Sequence, residues 1–336
     1  MRILVTGGAG YVGSACLRHL LEQGHDAIAY DSLVQGHRQA VPEGRLSVGD
    51  VNDVERLSDT LAECRAEAVM HFAAATTVGQ SVTDPEYHYA NNIGGTLNML
   101  RAMRAVGVER LLFSSTCATY GMNPEVPMAE DARQDPCSPY ARTKLSVEWM
   151  IRDFAHAYGL GFTLLRYFNA AGADPDGRHG EDHEPEDHLI PLVLQVPLGT
   201  REELLVFGND YPTSDGTCVR DYVHVKDLAS AHLLAIDATA AGTAEVFNIG
   251  TGCGNSVLEV HRACERAAGV DIRHRIVDRR PGDPPALVAD PTRVKTKLGW
   301  KPQYADIDRI VETAWSWHQS HPAGYDADMP EGSEPR

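Results

Sequence analysis

The sequence predicts an α/β fold, a doubly wound parallel sheet with helices on both faces and a smaller α/β lobe beyond it. Three observations carry this. Short apolar runs alternate with stretches whose apolar residues recur at helical spacing. A glycine-rich turn joins the first run to the first helical stretch. After about residue 170 the alternation gives way to segments rich in Gly, Pro, Asp and His.

In chain order, residues 2–6, 27–31, 46–49, 68–72, 110–115, 162–167 and 246–249 read as strands. Stretches 12–22, 97–106 and 138–158 read as helices between them. Such alternation implies parallel strands covered on both faces. Residues 1–170 are therefore expected to form a dinucleotide-binding domain, with a returning segment near 220–255 that brings 246–249 back to the main sheet. Residues 171–318 are expected to form an interleaved substrate-binding lobe, and 319–336 a disordered tail, because few apolar residues remain there.

Composition narrows the partners. A net charge of −17 argues against nucleic acid, whose phosphates require basic patches. No apolar run approaches the ~20 residues of a membrane span. Seven scattered cysteines without a CxxC pair read as reduced thiols, and no signal peptide precedes the first strand, so the expected location is cytoplasmic. His179, His183 and His188 lie among Glu181, Asp182, Glu184, Glu186 and Asp187. A metal site is conceivable there, but the composition reads first as a solvated acidic loop, and no metal is expected.

The first strand ends in Thr6-Gly7-Gly8-Ala9-Gly10-Tyr11-Val12-Gly13. Gly7 permits a tight turn, Gly10 lets backbone approach a pyrophosphate, and Gly13 lets the helix pack close to the strand. A diphosphate would then rest on a helix N-terminus, where free amides and the dipole favour negative charge. This is the Rossmann-type dinucleotide fingerprint with a wider first spacing. Asp31 ends the second strand about 20 residues on, where a carboxylate can accept from ribose hydroxyls and repel a 2′-phosphate. NAD is the cofactor this predicts. Asp50 could meet the adenine amino group, and is equally a plausible turn aspartate.

Tyr140 and Lys144 stand at i and i+4 of a helix that Pro139 can open, so they share a face. A free phenol, with pKa about 10, is a poor base at neutral pH. A nearby ammonium stabilises the phenolate and makes the pair a tunable acid–base group. Thr116 ends the fifth predicted strand, facing the ligand crevice of such a sheet, and can relay a proton.

These elements resemble the extended short-chain dehydrogenase/reductase superfamily. Further runs resemble the UDP-glucose 4-epimerase family: His71-Phe72-Ala73-Ala74, Asn91-Asn92, Arg166-Tyr167-Phe168-Asn169-Ala170-Ala171-Gly172, and above all segment 207–225, which holds Phe207-Gly208-Asn209-Asp210-Tyr211-Pro212-Thr213 and Val219-Arg220-Asp221-Tyr222-Val223-His224-Val225. The likeness spans residues 1 to about 318. It implies NAD contacts from Gly7, Gly10, Tyr11, Val12, Gly13, Asp31, Asp50, Val51, Phe72, Ala73, Ala74, Thr76, Asn92, Tyr140, Lys144 and Phe168. It implies that Asn169, His188, Leu189, Leu205, Phe207, Arg220, Arg280 and Asp283 hold a nucleotide diphosphate, with Thr116 and Leu287 beside the sugar. Thr76 stands where many members carry Lys, His188 where some carry Asn, and Cys117 where Ala is frequent. The implied reaction inverts C4 of a UDP-hexose through a 4-keto intermediate, with Thr116, Tyr140 and Lys144 catalytic and the chain a homodimer; epimerisation of another UDP-sugar, an N-acetylhexosamine, pentose or uronate, is the alternative. A dehydratase of the same superfamily carries an Asp-Glu pair after the strand-five Thr, whereas this chain has Thr116-Cys117-Ala118. A catalytically silent NAD-binding sensor would be expected to lack the Tyr–Lys pair.

Overall fold

The computed structural model describes residues 1–122, 125–280 and 282–325. The strands are β1 (Arg2–Thr6), β2 (Asp26–Asp31), β3 (Leu46–Val48), β4 (Ala68–His71), β5 (Arg110–Thr116), β6 (Gly161–Tyr167), β7 (Asn169–Ala171), β8 (Leu204–Phe207), β9 (Val219–His224), β10 (Ala244–Ile249), β11 (Gly254–Ser256), β12 (His274–Val277) and β13 (Ala286–Leu287). Seven of them form one sheet in the order β10-β6-β5-β4-β1-β2-β3. Every neighbouring pair in it is parallel. Continuous apolar strands such as Leu111, Leu112 and Phe113 follow from burial on both faces.

The helix Tyr11–Glu22 covers one face beside helix Val225–Ala238, with Tyr11, Ala15, Cys16, Val225 and Ala229 packed between them. Helices Val54–Glu63, Gly95–Val106 and Pro139–Tyr158 lie on the other face over Leu57, Met99, Leu100, Val147 and Ile151. The segment after β9 thus returns to the main layer, first as a helix and then as β10. The smaller lobe holds β9 at its centre, with β11 antiparallel to it and β7 and β13 parallel. A two-stranded parallel sheet of β8 and β12 lies beyond.

Ser138 caps helix Pro139–Tyr158, its hydroxyl accepting from the Ala141 amide at 3.2 Å, and Gly159 at φ +76° ends it. The helix expected over 97–106 is present as Gly95–Val106, reached from a short helix Pro85–His88 through a π-helical turn, Tyr89–Gly94. One expectation needs correction. The tail is ordered at its start. Helix Ile307–Ser320 runs past residue 319, and Tyr325 is buried against Trp317, its hydroxyl within 3.2 Å of the Gly180 amide. One large aromatic with a nearby polar partner suffices to hold a short segment otherwise poor in apolar residues. The rest of the expected tail, 326–336, lies outside the described residues.

One buried ion pair joins the elements behind the site. Arg166 of β6 donates to both carboxylate oxygens of Glu148, at 2.9 and 2.6 Å. Ser115 of β5 donates to the same carboxylate at 2.6 Å, and Arg166 also reaches the Tyr120 hydroxyl and the Glu130 carbonyl. Glu148 is 1% exposed and Arg166 2%. Removing one partner strands the other charge without water. Glu148→Ala is expected to lower unfolding free energy by about 3–5 kcal/mol, read from the urea midpoint; a loss under about 1 kcal/mol contradicts the role given to the pair.

Candidate active site

The turn after β1 is built for close approach. Gly7 adopts φ +71°, and a Cβ on Gly13 would stand 2.1 Å from the Gly7 carbonyl oxygen. A Cβ on Gly10 would meet only that oxygen, at 3.5 Å, so the space before the turn is open. Gly10 is also the N-cap of helix Tyr11–Glu22, with no side-chain cap and no acidic residue in the first turn. The first amides of that helix are therefore available to an anion. Asp31 sits at the end of β2 and accepts from the amides of Ala9 and Leu33 at 2.9 and 2.8 Å, which ties the acid to the turn itself. These features fit the diphosphate and ribose of NAD.

The other cofactor-side residues fall around this turn in different ways. Val12 packs inward beside the helix core, and Tyr11 sends its hydroxyl to the Gly172 carbonyl at 2.5 Å, linking the two lobes. Asp50 is exposed and accepts from the amide and side chain of Asn52, as a turn aspartate does. Val51 is buried beside Tyr30. Phe72, Ala73 and Ala74 follow β4 across from Gly7, while Thr76 is exposed. Asn92, in the π-helical turn, is buried and fully engaged. It accepts from the Ala75 amide at 2.7 Å and donates to the Ala75 carbonyl and to Thr143, so it fastens the 72–76 loop to the long helix.

Thr116 closes β5 and its hydroxyl accepts from the Ala118 amide at 3.1 Å. Tyr140 stands near Thr116. Burial raises the Tyr140 phenol above its ordinary range, Tyr167 adds to this, and the Thr116 hydroxyl opposes it. Lys144 lies one turn on, 3% exposed. Its ammonium donates to the Ser114 carbonyl at 2.9 Å and stands 4.9 Å from the Phe113 ring centre. Burial lowers its pKa to about 7. Ser114 in turn bonds the Tyr167 hydroxyl at 2.6 Å.

The smaller lobe completes the crevice. Phe168, Cys117, Tyr120, Met128, Ala289 and Leu287 form one apolar cluster, which brings Leu287 beside the residue that follows Thr116. Leu287 is in register with Arg220 across β13 and β9, and Arg220 lies close enough to Cys117 to favour its thiolate, although burial dominates and pushes that thiol up to about 12. Arg220 and Asp283 form an ion pair. Asn169 opens β7 opposite Tyr222, Leu205 lies on β8, and the Arg280 guanidinium stands 4.0 Å from the Phe207 ring centre. His188 caps helix Leu189–Leu194, and the neighbouring Asp187 carboxylate opposes ionisation of Tyr140.

The 179–188 segment is not the solvated loop its composition suggests. His179 is 2% and Glu181 4% exposed, because the segment folds over Tyr11 and under Trp317. Sequence reasoning also missed the Ser114 carbonyl, a backbone group with no signature, and Glu148. The latter had a signal: it stands four residues after Lys144 on the apolar face of the same helix.

A dinucleotide turn with a tyrosine–lysine pair near the carboxyl end of β5 defines an NAD-linked α/β enzyme. The model of the NAD dependent epimerase/dehydratase family matches residues 3–250. A UDP-glucose 4-epimerase of Lacticaseibacillus casei is 47% identical over 327 residues, covering 97% of this chain and 99% of the relative. The crystal structure of UDP-glucose 4-epimerase from Brucella ovis in complex with NAD is 46% identical with a TM-score of 0.90, covering 94% of this chain and 97% of the other. That from Bifidobacterium longum in complex with NAD+ and UDP is 37% identical with a TM-score of 0.92, covering 97% and 100%. The chain belongs to the NAD-dependent epimerase/dehydratase family, and NAD is its cofactor.

Tyr140→Phe keeps the ring and deletes the acid–base group. Turnover of a UDP-sugar is expected to fall ~10²-fold or more, with binding of the UDP-sugar by calorimetry largely kept. Near-normal turnover contradicts the assignment.

Proposed function

We propose that the chain interconverts the C4 epimers of a UDP-hexose, UDP-glucose and UDP-galactose. The observation that supports this most is that the chain's relatives are UDP-glucose 4-epimerases over nearly their full length, and the packing of Leu287 with Cys117, the residue after Thr116, agrees with it.

Bound NAD supplies a reversible hydride acceptor and, when oxidised, a positive charge that favours the Tyr140 phenolate. The residues do the rest. Tyr140 takes the proton of the C4 hydroxyl, with Thr116 aligning the phenol. Lys144, fixed on the Ser114 carbonyl, adds charge beneath the phenolate. The paired donors of Arg220 and the guanidinium of Arg280 hold the diphosphate, and Phe207 packs on the uracil face. Arg220 must then trade part of its pairing with Asp283 for phosphate, so Asp283 holds the guanidinium ready. A nucleotide gripped this way leaves the hexose free. The 4-keto sugar turns about its link to the diphosphate and accepts hydride on its other face, and Tyr140 returns the proton. The cycle is redox-neutral, and Thr116 is followed by Cys117 and Ala118 rather than by the carboxylates that water elimination needs.

The same reading extends to sugar size and assembly. Leu287 forms an apolar wall next to Cys117 and Phe168, smaller than an aromatic residue would be, which leaves space beside the C2 substituent. With no NAD added, wild type is expected to convert UDP-galactose and also UDP-N-acetylgalactosamine, separated by anion exchange. Leu287→Tyr should keep the first activity and lose most of the second. A wild type that turns over no UDP-hexose overturns the function; one that ignores N-acetyl sugars, or a variant that handles them equally well, overturns only the size gate.

Trp149 is 58% exposed and Tyr158 52% on the long helix, and Tyr87 and Tyr89 are exposed on the segment packed against it. Exposed large aromatics on these neighbouring helices fit a two-fold homodimer that pairs the helices between copies. Light scattering is expected to give twice the chain mass at micromolar concentration, and Trp149→Glu to shift it toward monomer; a monomeric wild type contradicts the dimer.

A further inference from the structure

Between β7 and helix Leu189–Leu194 the chain folds four potential ligands around one point. The Nδ1 nitrogens of His183 and His188 and a carboxylate oxygen from each of Glu181 and Glu186 all lie within 4.8 Å of one another. The four nitrogen–oxygen separations are 3.5 and 3.7 Å from His183, and 2.9 and 3.1 Å from His188. Donors placed 2.0–2.2 Å from a tetrahedral zinc stand about 3.3–3.6 Å apart, so the observed separations bracket that spacing.

Direct hydrogen bonding accounts for only one of these contacts, His188 Nδ1 with Glu186 Oε1 at 3.1 Å. Glu181, 4% exposed, has its Oε1 fully enclosed and without a hydrogen bond, although both imidazole nitrogens lie within 3.5 Å. The Nδ1 of His183 is likewise enclosed and unbonded. A ring nitrogen carries its proton along one direction in the ring plane, and at His183 that direction meets neither carboxylate with hydrogen-bond geometry. An ion at the centre satisfies all four atoms together. We propose that Glu181, His183, Glu186 and His188 form a structural site for a divalent transition ion, zinc by its donor set of two imidazoles and two carboxylates.

The surroundings suit such a site. The Glu186 Oε1 also accepts from the amides of Asp187 and His188 at 2.8 Å each, which fixes the carboxylate as outer partners fix a ligand. The Tyr11 ring lies edge-on to His183 at 6.2 Å and the His183 and His188 rings are 5.1 Å apart, so the site is walled by aromatic groups. Charge also balances. Two carboxylates with two imidazolium ions are neutral, and so are two carboxylates, two neutral imidazoles and a divalent cation. With four protein donors the site is closed, so its part is to hold. It would pin the segment bearing Asp187, His188 and Leu189 against Tyr11 of the glycine-turn helix, the same helix that receives the cofactor.

The test reads metal directly and needs no turnover. The full-length protein is purified without metal-affinity resin or chelator, and its metal content is measured by plasma mass spectrometry. About one zinc per chain is expected, falling at least ~10-fold in His183→Gln and in Glu186→Gln. After chelation, cobalt(II) should restore about one ion per chain with the visible absorption of a tetrahedral centre, and zinc should raise Tm by ~5 °C or more over the chelated protein. Wild type that neither retains zinc nor takes up zinc or cobalt above both variants overturns the site. So does cobalt uptake with only the weak spectrum of a surface hexaaqua-like ion, which needs no variant to fold.

Discussion

The helix after β1 must begin within touching distance of the strand that precedes it. A side chain at residue 13 would put a carbon 2.1 Å from the Gly7 carbonyl oxygen, and one at residue 7 would collide with the Ala73 backbone at 2.5 Å. Three glycines therefore let four things share one place: the end of β1, the start of a helix, the loop after β4, and the open space where a diphosphate fits. The rest of the molecule closes around that turn. Asp31 holds the Ala9 amide from the next strand, and the Tyr11 hydroxyl spans to Gly172, where the second lobe starts. The helix Val225–Ala238 returns to pack on the same helix and delivers β10 to the sheet edge. The two lobes interleave because both depend on this contact.

The chemistry sits at the carboxyl end of β5, one step removed from the turn. Placing a lysine there at 3% exposure costs desolvation, and the chain meets that cost with a backbone carbonyl and an aromatic face rather than an acid. An adjacent carboxylate would hold the ammonium charged. The acid on this helix is instead placed one turn further along and is occupied by Arg166 and Ser115. The two systems share a helix and a pair of strands, yet Lys144 keeps a pKa near 7 while Glu148 and Arg166 stay paired. That division of charge lets one face of Pro139–Tyr158 carry both the proposed acid–base pair and a stabilising ion pair.

Much of this was legible in the residues. The seven runs read as main-sheet strands are strands to within two residues at each end, because buried parallel strands are continuous and apolar. Gly7, Gly10, Gly13 and Asp31 carry their geometry in their spacing, and Tyr140 and Lys144 theirs in a single helical turn. What was not legible depended on contacts distant in sequence. Asn92 reads as a ligand contact, but its amide is spent on Ala75 and Thr143, 17 and 51 residues away. The π-helical turn that carries it has no sequence signal apart from Gly94 and Gly95. Segment 179–188 reads as solvated because its composition is polar. Its start, residues 179–181, is buried because Tyr11 and Trp317 lie against it, and no local pattern announces that. Tyr325 likewise orders the start of a segment that composition alone assigns to disorder.

The claim at the centre of the account is that hydride leaves and returns to the same carbon of the same sugar while Tyr140 exchanges the proton. A mixture of unlabelled UDP-galactose and UDP-galactose deuterated both at C4 and in its uridine tests this most directly. The two are incubated with the protein in ordinary water and read by mass spectrometry and NMR. The account predicts UDP-glucose in which the C4 deuterium stays with the labelled uridine, with no solvent hydrogen at C4. Loss of deuterium to solvent, or its appearance at C4 of molecules with unlabelled uridine, would contradict a hydride held within one turnover.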